Sequence, residues 1–107
     1  MVQLIGHLGD DPEVTKFDSG KVKASFRMAT NEKYKNGNGE LMEDTQWHTV
    51  VIWGNAAENV EKLLKKGKEV AILGKLTHRA YEDKEGNKKT VTEVNASAFE
   101  LFGKKTA

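Results

Sequence analysis

Alternating apolar and polar residues define one strand more clearly than any other segment of the chain. Between Lys21 and Ala29, every second side chain is apolar and those between are small and polar or basic. The apolar positions are Val22, Ala24, Phe26 and Met28, and the intervening ones are Lys23, Ser25 and Arg27. Because successive side chains of a strand point to opposite faces, the pattern predicts a half-buried strand with a cationic outer face.

A second segment, Thr45–Gly54, is apolar on both faces. In a strand, one face would carry Trp47, Thr49, Val51 and Trp53, and the other His48, Val50 and Ile52. A chain of 107 residues can hardly cover both faces of a sheet with its own elements. We therefore interpret Trp47 and Trp53 as part of a platform for a flat apolar ligand. The alternative is that both are ordinary core residues.

Three further strands and one helix are predicted. The strands are expected at Val2–Gly9, at Glu69–Leu76 with a continuation to Tyr81, and at Val91–Phe102, with a register shift after Ala98.

The helix is expected from Asn55 to about Lys66. Asn55 is the predicted N-cap, Glu58 completes a capping-box pattern, and Gly67 suits the position just past the C-terminal end.

Two hairpins connect the strands. Residues 30–45 are polar and contain Asn36-Gly37 and Asn38-Gly39, which favour tight turns, so we expect a long, mobile hairpin there. The second turn is expected at residues 82–87.

The order of elements predicts the fold. Five strands with a single helix between the third and fourth are the arrangement of an OB-fold, an all-β, partly open Greek-key barrel. An SH3-like barrel would lack that helix. We expect residues 1–103 to form this domain and residues 104–107 a short tail.

Composition narrows the function classes. The net charge is +1 and 31% of residues are charged, which is typical of a soluble globular domain and gives no argument for a polyanion from charge alone. There is no cysteine, no signal-like N-terminus and no apolar run of transmembrane length. A cytosolic protein is therefore expected.

Catalytic chemistry is not indicated. The chain has no thiol nucleophile, serine elbow or phosphate-cradling glycine loop. His7, His48 and His78 are scattered without ligand spacing, so neither a metal nor another cofactor is expected.

Aromatic residues with cations nearby favour a binding function. Four aromatics occupy one strand face and the two hairpins: Tyr34, Trp47, Trp53 and Tyr81. The nearby cations are Lys33 and Lys35 at the first hairpin and Arg79, Lys84, Lys88 and Lys89 at the second. Unpaired bases stack on aromatic rings while Lys and Arg follow the phosphates, so this pattern suits single-stranded nucleic acid.

Several motifs resemble the bacterial-type single-stranded DNA-binding proteins. The segment Leu4-Ile5-Gly6-His7-Leu8-Gly9-Asp10-Asp11-Pro12-Glu13-Val14 is similar to their opening signature. The resemblance continues, in the same order, through residues 26–30, 45–50, 53–58 and 64–67. It covers essentially the whole chain.

The resemblance implies an OB-fold homotetramer that coats single-stranded DNA during replication, recombination and repair, without catalysis. It assigns base stacking to the same four aromatics. It also implies pairing of first-strand edges between subunits, covering Val2 and Leu4, and places His48 near the subunit interface. The expected location is the bacterial cytoplasm at the nucleoid, with a mitochondrial or phage origin as alternatives.

The chain departs from the family pattern at both ends. Met1 begins almost inside the first strand, where relatives carry a short basic stretch. The glycine- and proline-rich tail with an acidic tip is absent from these residues, so no partner recruitment through such a tip is expected.

Two other functions remain open at this stage. One is a tailless, dimeric primosomal accessory protein that acts mainly through protein contacts. The other is an OB-fold that binds oligosaccharide, which would stack on tryptophan without needing the surrounding cations.

Overall fold

The apolar positions of the strands converge inside a β-barrel. The computed structural model describes residues 1–102, and the predicted tail, residues 104–107, lies outside them. The elements are β1 (Val2–Leu8), β2 (Glu13–Lys16), β3 (Val22–Lys35), β4 (Leu41–Trp53), α1 (Asn55–Leu63), β5 (Glu69–Glu82) and β6 (Lys88–Leu101).

The strand order closes the barrel. The sheet runs β1-β5-β6-β4-β3-β2, and an additional pairing of β1 with β3 closes it, leaving β2 outside the closed ring. β4 and β6 pair in parallel, whereas the other pairs are antiparallel. Five strands form the barrel, β2 is a short addition at the edge of β3, and α1 lies between β4 and β5. The predicted OB-fold is confirmed.

The core follows the predicted alternation. The inward positions of β3, Val22, Ala24, Phe26 and Met28, are all buried. Val60 and Leu64, from α1 and the residue after it, belong to the same core cluster, so the helix region covers one end of the barrel. Within residues 1–102, no buried side chain is polar or charged.

The register shift in the last strand is present but lies one residue earlier than predicted. Leu73 pairs with Ala98 and Gly74 with Ala96, which leaves Ser97 as the extra residue of a bulge. Ala98 is consequently exposed, and Phe99 packs against the core. A Cβ on Gly74 would lie 2.4 Å from the Asn95 carbonyl oxygen, so the bulge requires glycine here.

The helix differs from the prediction at both ends. Gly54, not Asn55, is the N-cap, with φ of 79° and no side-chain cap. This positive φ, which favours glycine, turns the chain from β4 into α1. The helix ends at Leu63 because Leu64 adopts an extended conformation and places its side chain in the core. Gly67 has φ of 85°.

The predicted hairpin at residues 30–45 is present, and its arms are paired strands, a two-stranded ribbon that continues β3 and β4 beyond the barrel. β3 and β4 remain in register from Lys23↔Trp53 to Lys35↔Leu41. Only the short turn between them is unpaired, and the Asn36 side chain accepts hydrogen bonds there from the backbone N–H groups of Asn38 and Glu40. The polar composition of this ribbon fits its position, because the ribbon extends beyond the barrel, where its strands pair without a core to cover.

No helix in the described part of the chain is long and apolar enough to cross a membrane.

Candidate nucleic-acid interface

Both tryptophans lie on the outside of the barrel. Trp47 is 54% exposed and Trp53 is 43% exposed, whereas Val50 and Ile52, on the opposite face of β4, are buried. The interpretation of the tryptophans as core residues is therefore wrong. We call the surface of β3, β4, β5 and β6 that carries Trp47 and Trp53 the outer face.

Trp47 is held between the end of β1 and a basic side chain of β3. Its benzo ring lies so close to Gly9 that a Cβ there would be 2.3 Å from Cζ3. The Arg27 guanidinium lies over the indole, with Cζ 5.2 Å from the ring centroid. Asp10 orients it, accepting hydrogen bonds at 3.3 Å from Arg27 Nε and Nη2. The ring position thus depends on a glycine and an ion pair.

Replacing Gly9 with alanine should displace the Trp47 ring, because the added methyl group would occupy the space of the indole. If Trp47 stacks on a base, we expect affinity for oligo-dT to fall by about tenfold, the lower part of the range for losing one stacking contact. Titration of labelled oligo-dT would measure this. Gly37→Ala is the matched control, since a Cβ at Gly37 meets no atom within 4 Å. Unchanged affinity of Gly9→Ala would show that the indole position does not matter for binding.

Trp53 lies at the other end of the outer face. Its strand partner is Lys23, whose Nζ is 5.7 Å from the indole centroid. The Phe17 ring also stacks against Trp53, at 5.8 Å between centroids and 20° between planes. Trp53 therefore has both a cation and a second aromatic ring as neighbours.

Strand register brings Tyr81 onto the same face. Thr49 of β4 is paired with Glu93 of β6, which is paired with Thr77 of β5, and side chains paired in this way share a face. Two and four residues further along β5, Arg79 and Tyr81 point the same way. The Arg79 guanidinium lies 5.9 Å from the Tyr81 ring centroid.

An ion pair fixes Arg79. Its Nε and Nη2 donate hydrogen bonds to the Glu93 carboxylate at 3.3 and 3.4 Å. These bonds, with the coulombic attraction of the same carboxylate, raise the pKa of Arg79 above its ordinary value. An open groove of about 270 Å³ runs between this pair and Trp53, and Lys23 also lines it.

Tyr34 is not on the outer face. The β3–β4 register has no bulge, so Tyr34 has the same parity as Met28, whereas Lys33 and Lys35 have that of Arg27. Tyr34 is 47% exposed because the ribbon there has left the barrel and nothing covers its inner side. The structure thus brings together Trp47, Trp53 and Tyr81, and separates Tyr34 from them by the thickness of the ribbon.

The cations of the second hairpin lie around its turn. Lys84 is in the turn itself, Lys88 pairs across the strands with Glu82, and all of these residues are exposed. Lys89 lies across from Tyr81, and its Nζ is 3.8 Å from Asp83. The predicted basic groups therefore extend past Tyr81 to the tip of the hairpin.

The three residues predicted for a subunit interface lie away from the outer face. Val2 and Leu4 are half-buried and pack against the core. His48, also half-buried, is hydrogen-bonded through Nε2 to Thr30 Oγ1 at 2.9 Å. Within residues 1–102 no cluster of three or more His, Asp or Glu side chains could hold a metal ion.

Four site residues were absent from the sequence prediction. Lys23 and Arg27 were recognised as a cationic strand face, but their position beside the tryptophans follows only from the β3–β4 pairing. Phe17 and Gly9 gave no periodic signal, because one lies in a turn and the other just past the end of a strand.

Comparison with known proteins gives a consistent result. The profile of the Single-strand binding protein family matches residues 1–102. Single-stranded DNA-binding protein 1 of Chlorobaculum tepidum is 43% identical over 105 residues, covering 97% of this chain and 65% of that protein. Single-stranded DNA-binding protein 1 of Xylella fastidiosa is 40% identical, covering 97% of this chain and 77% of that protein.

A solved structure supports the same relationship. The structure described as "Plasmodium falciparum SSB complex with ssDNA" superposes with a TM-score of 0.88 at 30% identity, covering 95% of this chain and 93% of that one. The chain spans just under two thirds of the Chlorobaculum protein, so the likeness concerns the barrel described here. On the family match and these identities together, the chain belongs to the single-strand binding protein family.

Proposed function

We propose that this domain binds single-stranded DNA with little sequence preference, by stacking bases on aromatic rings and holding phosphates with Lys and Arg. The observation that carries the proposal is the outer face. It has three exposed aromatic rings, Trp47, Trp53 and Tyr81, each with a Lys or Arg cation within 5.9 Å of its centroid. Relatives at 40–43% identity are named single-stranded DNA-binding proteins.

The arrangement favours a single strand over a duplex. Unpaired bases expose their π-faces, whereas a duplex keeps them stacked inside. Of the three cations that lie near the aromatic rings, Lys23, Arg27 and Arg79, two are already partnered, Arg27 by Asp10 and Arg79 by Glu93. Fewer counterions would then be released on binding, and the salt dependence should be shallower than that of a strongly basic protein.

Tyr34 extends the proposed path onto the ribbon. A strand leaving Trp47 would pass over Lys33 and Lys35 and reach Tyr34 around the ribbon edge. On the other side, it would continue from Tyr81 to Lys84 and Lys88. The cellular role that fits this chemistry is protection of single strands exposed during replication, recombination and repair, without catalysis.

We propose a homotetramer, which the family resemblance implies, with pairing of β1 edges as one of its contacts. β1 pairs with β5 along Val2–His7, but with β3 only at His7 and Leu8, so most of one β1 edge has no partner within residues 1–102. Such an edge is a template for pairing with another chain, and it would cover Val2 and Leu4. Sedimentation equilibrium should give four times the 11.9 kDa chain mass. A dimer would favour the primosomal accessory alternative.

Binding of labelled oligo-dT, measured by fluorescence anisotropy, tests the proposal. Unlabelled oligo-dT should compete, whereas a duplex of the same length and an oligosaccharide should compete poorly. The affinity should fall moderately with rising salt. Competition by the oligosaccharide with no salt dependence would favour the sugar-binding alternative, and absence of oligo-dT binding would refute the proposal.

A further inference from the structure

Phe17 is an exposed aromatic with no role in the core. It follows β2 and is 43% exposed, and it is not a member of the core cluster. Its backbone is fixed: Phe17 N–H donates to the Lys21 carbonyl at 2.8 Å, and Gly20 N–H donates to the Phe17 carbonyl at 2.9 Å. The turn therefore holds an apolar ring in a solvent-exposed position, where it is available to contact another ring.

Its visible partner is Trp53. The two rings are nearly parallel, with 20° between planes and 5.8 Å between centroids, which is the offset-stacked arrangement of aromatic pairs. A base stacked parallel to the Phe17 and Trp53 rings would extend this stack. Because β2 is the edge strand beside β3, this contact carries the aromatic surface beyond the four barrel strands of the outer face.

Space for a nucleotide lies beside Trp53 and the turn that follows Phe17. An open cavity of about 490 Å³ is lined by Trp53, by Gly20 and Lys21 of the same turn, and by the start of α1. That volume is within the range of small-molecule sites. Lys21 supplies a cation at the cavity, and Lys23 lies over Trp53. The acidic groups are Glu58 in the cavity wall and Asp18 beside Phe17, so a phosphate would be drawn to the lysine side.

We propose that Phe17 is a further base-stacking residue, forming with Trp53 a two-ring unit that extends the nucleic-acid path to the β2–β3 turn. The proposal rests on the function proposed above. It adds a binding position for one nucleotide at an edge of the outer face that sequence patterning does not mark. The competing explanation is that Phe17 acts only as apolar packing that supports Trp53.

A set of Phe17 variants separates these explanations. Phe17→Tyr keeps a π-face, Phe17→Leu keeps apolar bulk without one, and Phe17→Ala removes both. For a labelled oligo-dT long enough to saturate the domain, we expect Phe17→Tyr to bind like wild type. Phe17→Ala and Phe17→Leu should each bind about tenfold more weakly, as for loss of one stacked base. Leu63→Ala, which shortens an apolar side chain 49% exposed on α1, is the matched control and should not change affinity.

Other outcomes have distinct meanings. If Phe17→Leu binds oligo-dT with wild-type affinity, base stacking at Phe17 is overturned, whether or not Phe17→Ala binds more weakly. The proposed function of the domain would remain intact. Failure of the wild type itself to bind oligo-dT would refute both proposals. Thermal unfolding should be similar for all variants because Phe17 lies outside the core.

Discussion

Replacing Trp47 and Trp53 together with alanine should reduce affinity for oligo-dT by about 100-fold or more while leaving the barrel folded. Each stacked base contributes ~1–3 kcal/mol by alanine substitution, and every 1.4 kcal/mol corresponds to tenfold in affinity. Either single substitution should cost about one such contact. The fold should persist because both side chains lie outside the buried cluster. Oligo-dT titration and the urea midpoint, measured on the same preparations, test both halves of the expectation.

The matched control keeps the π-faces. Trp47→Phe with Trp53→Phe should retain most of the affinity, since stacking tolerates any aromatic ring. Full affinity in the double alanine variant would contradict base stacking at these positions. Loss of the folded state in that variant would instead mean that the indoles support the barrel.

Replacing Ile72 with alanine should produce the opposite result, a large loss of stability with little direct effect on the binding surface. Ile72 lies near the start of β5, paired with Leu4 of β1 and Phe99 of β6, and is 1% exposed. Truncating a buried isoleucine to alanine removes apolar burial and leaves a cavity, at a cost of about 2–5 kcal/mol. The free energy of unfolding from urea denaturation should fall by that amount, and affinity should be preserved where the variant is still folded.

Leu76 offers a control on the same strand. It has the same parity as Ile72, four residues further on, but is 48% exposed at the end of the barrel. Leu76→Ala should therefore cost much less, below about 1 kcal/mol, because most of the deleted surface is already in water. Equal effects of the two substitutions would contradict the position of the core in this fold.

The fold was largely predictable because the signals that define it are local. Strict alternation in Lys21–Ala29 and the apolar strand containing Trp47 and Trp53 identify two barrel strands. The position of the helix between the third and fourth strands then selects the OB-fold. What local patterns missed is backbone geometry. The Gly54 N-cap depends on a positive φ, and the continuation of paired strands beyond Ala29 into the predicted hairpin is not marked by apolar side chains.

The candidate site was predictable within each strand but not between strands. Alternation correctly placed Trp47 and Trp53 on one face of β4, because parity is fixed along a single strand. It could not show that Lys23 and Arg27 lie beside the tryptophans, because that depends on the β3–β4 pairing. Tyr34 was not placed because the predicted alternation ended at Ala29, whereas β3 continues to Lys35 and puts Tyr34 on the inner side of the ribbon.

Contacts made by residues at strand ends and in turns were also not predictable from the sequence. The contact of Gly9 with Trp47 and the stacking of Phe17 on Trp53 join residues far apart in sequence, through a strand end and a turn. No periodicity marks such positions, so only the folded chain reveals them. The ion pair of Asp10 with Arg27 is of the same kind, because Asp10 in isolation has the appearance of an ordinary turn residue.

A titration of intrinsic tryptophan fluorescence with oligo-dT tests the central claim most directly. Trp47 and Trp53 are the two tryptophans of the chain, so the signal reports on the outer face alone. It should be repeated with a duplex of the same length and at two salt concentrations. We expect strong quenching by the single strand and little by the duplex. Absence of quenching by oligo-dT, whether or not oligo-dT binds elsewhere, would contradict the assignment of this face as the nucleic-acid interface.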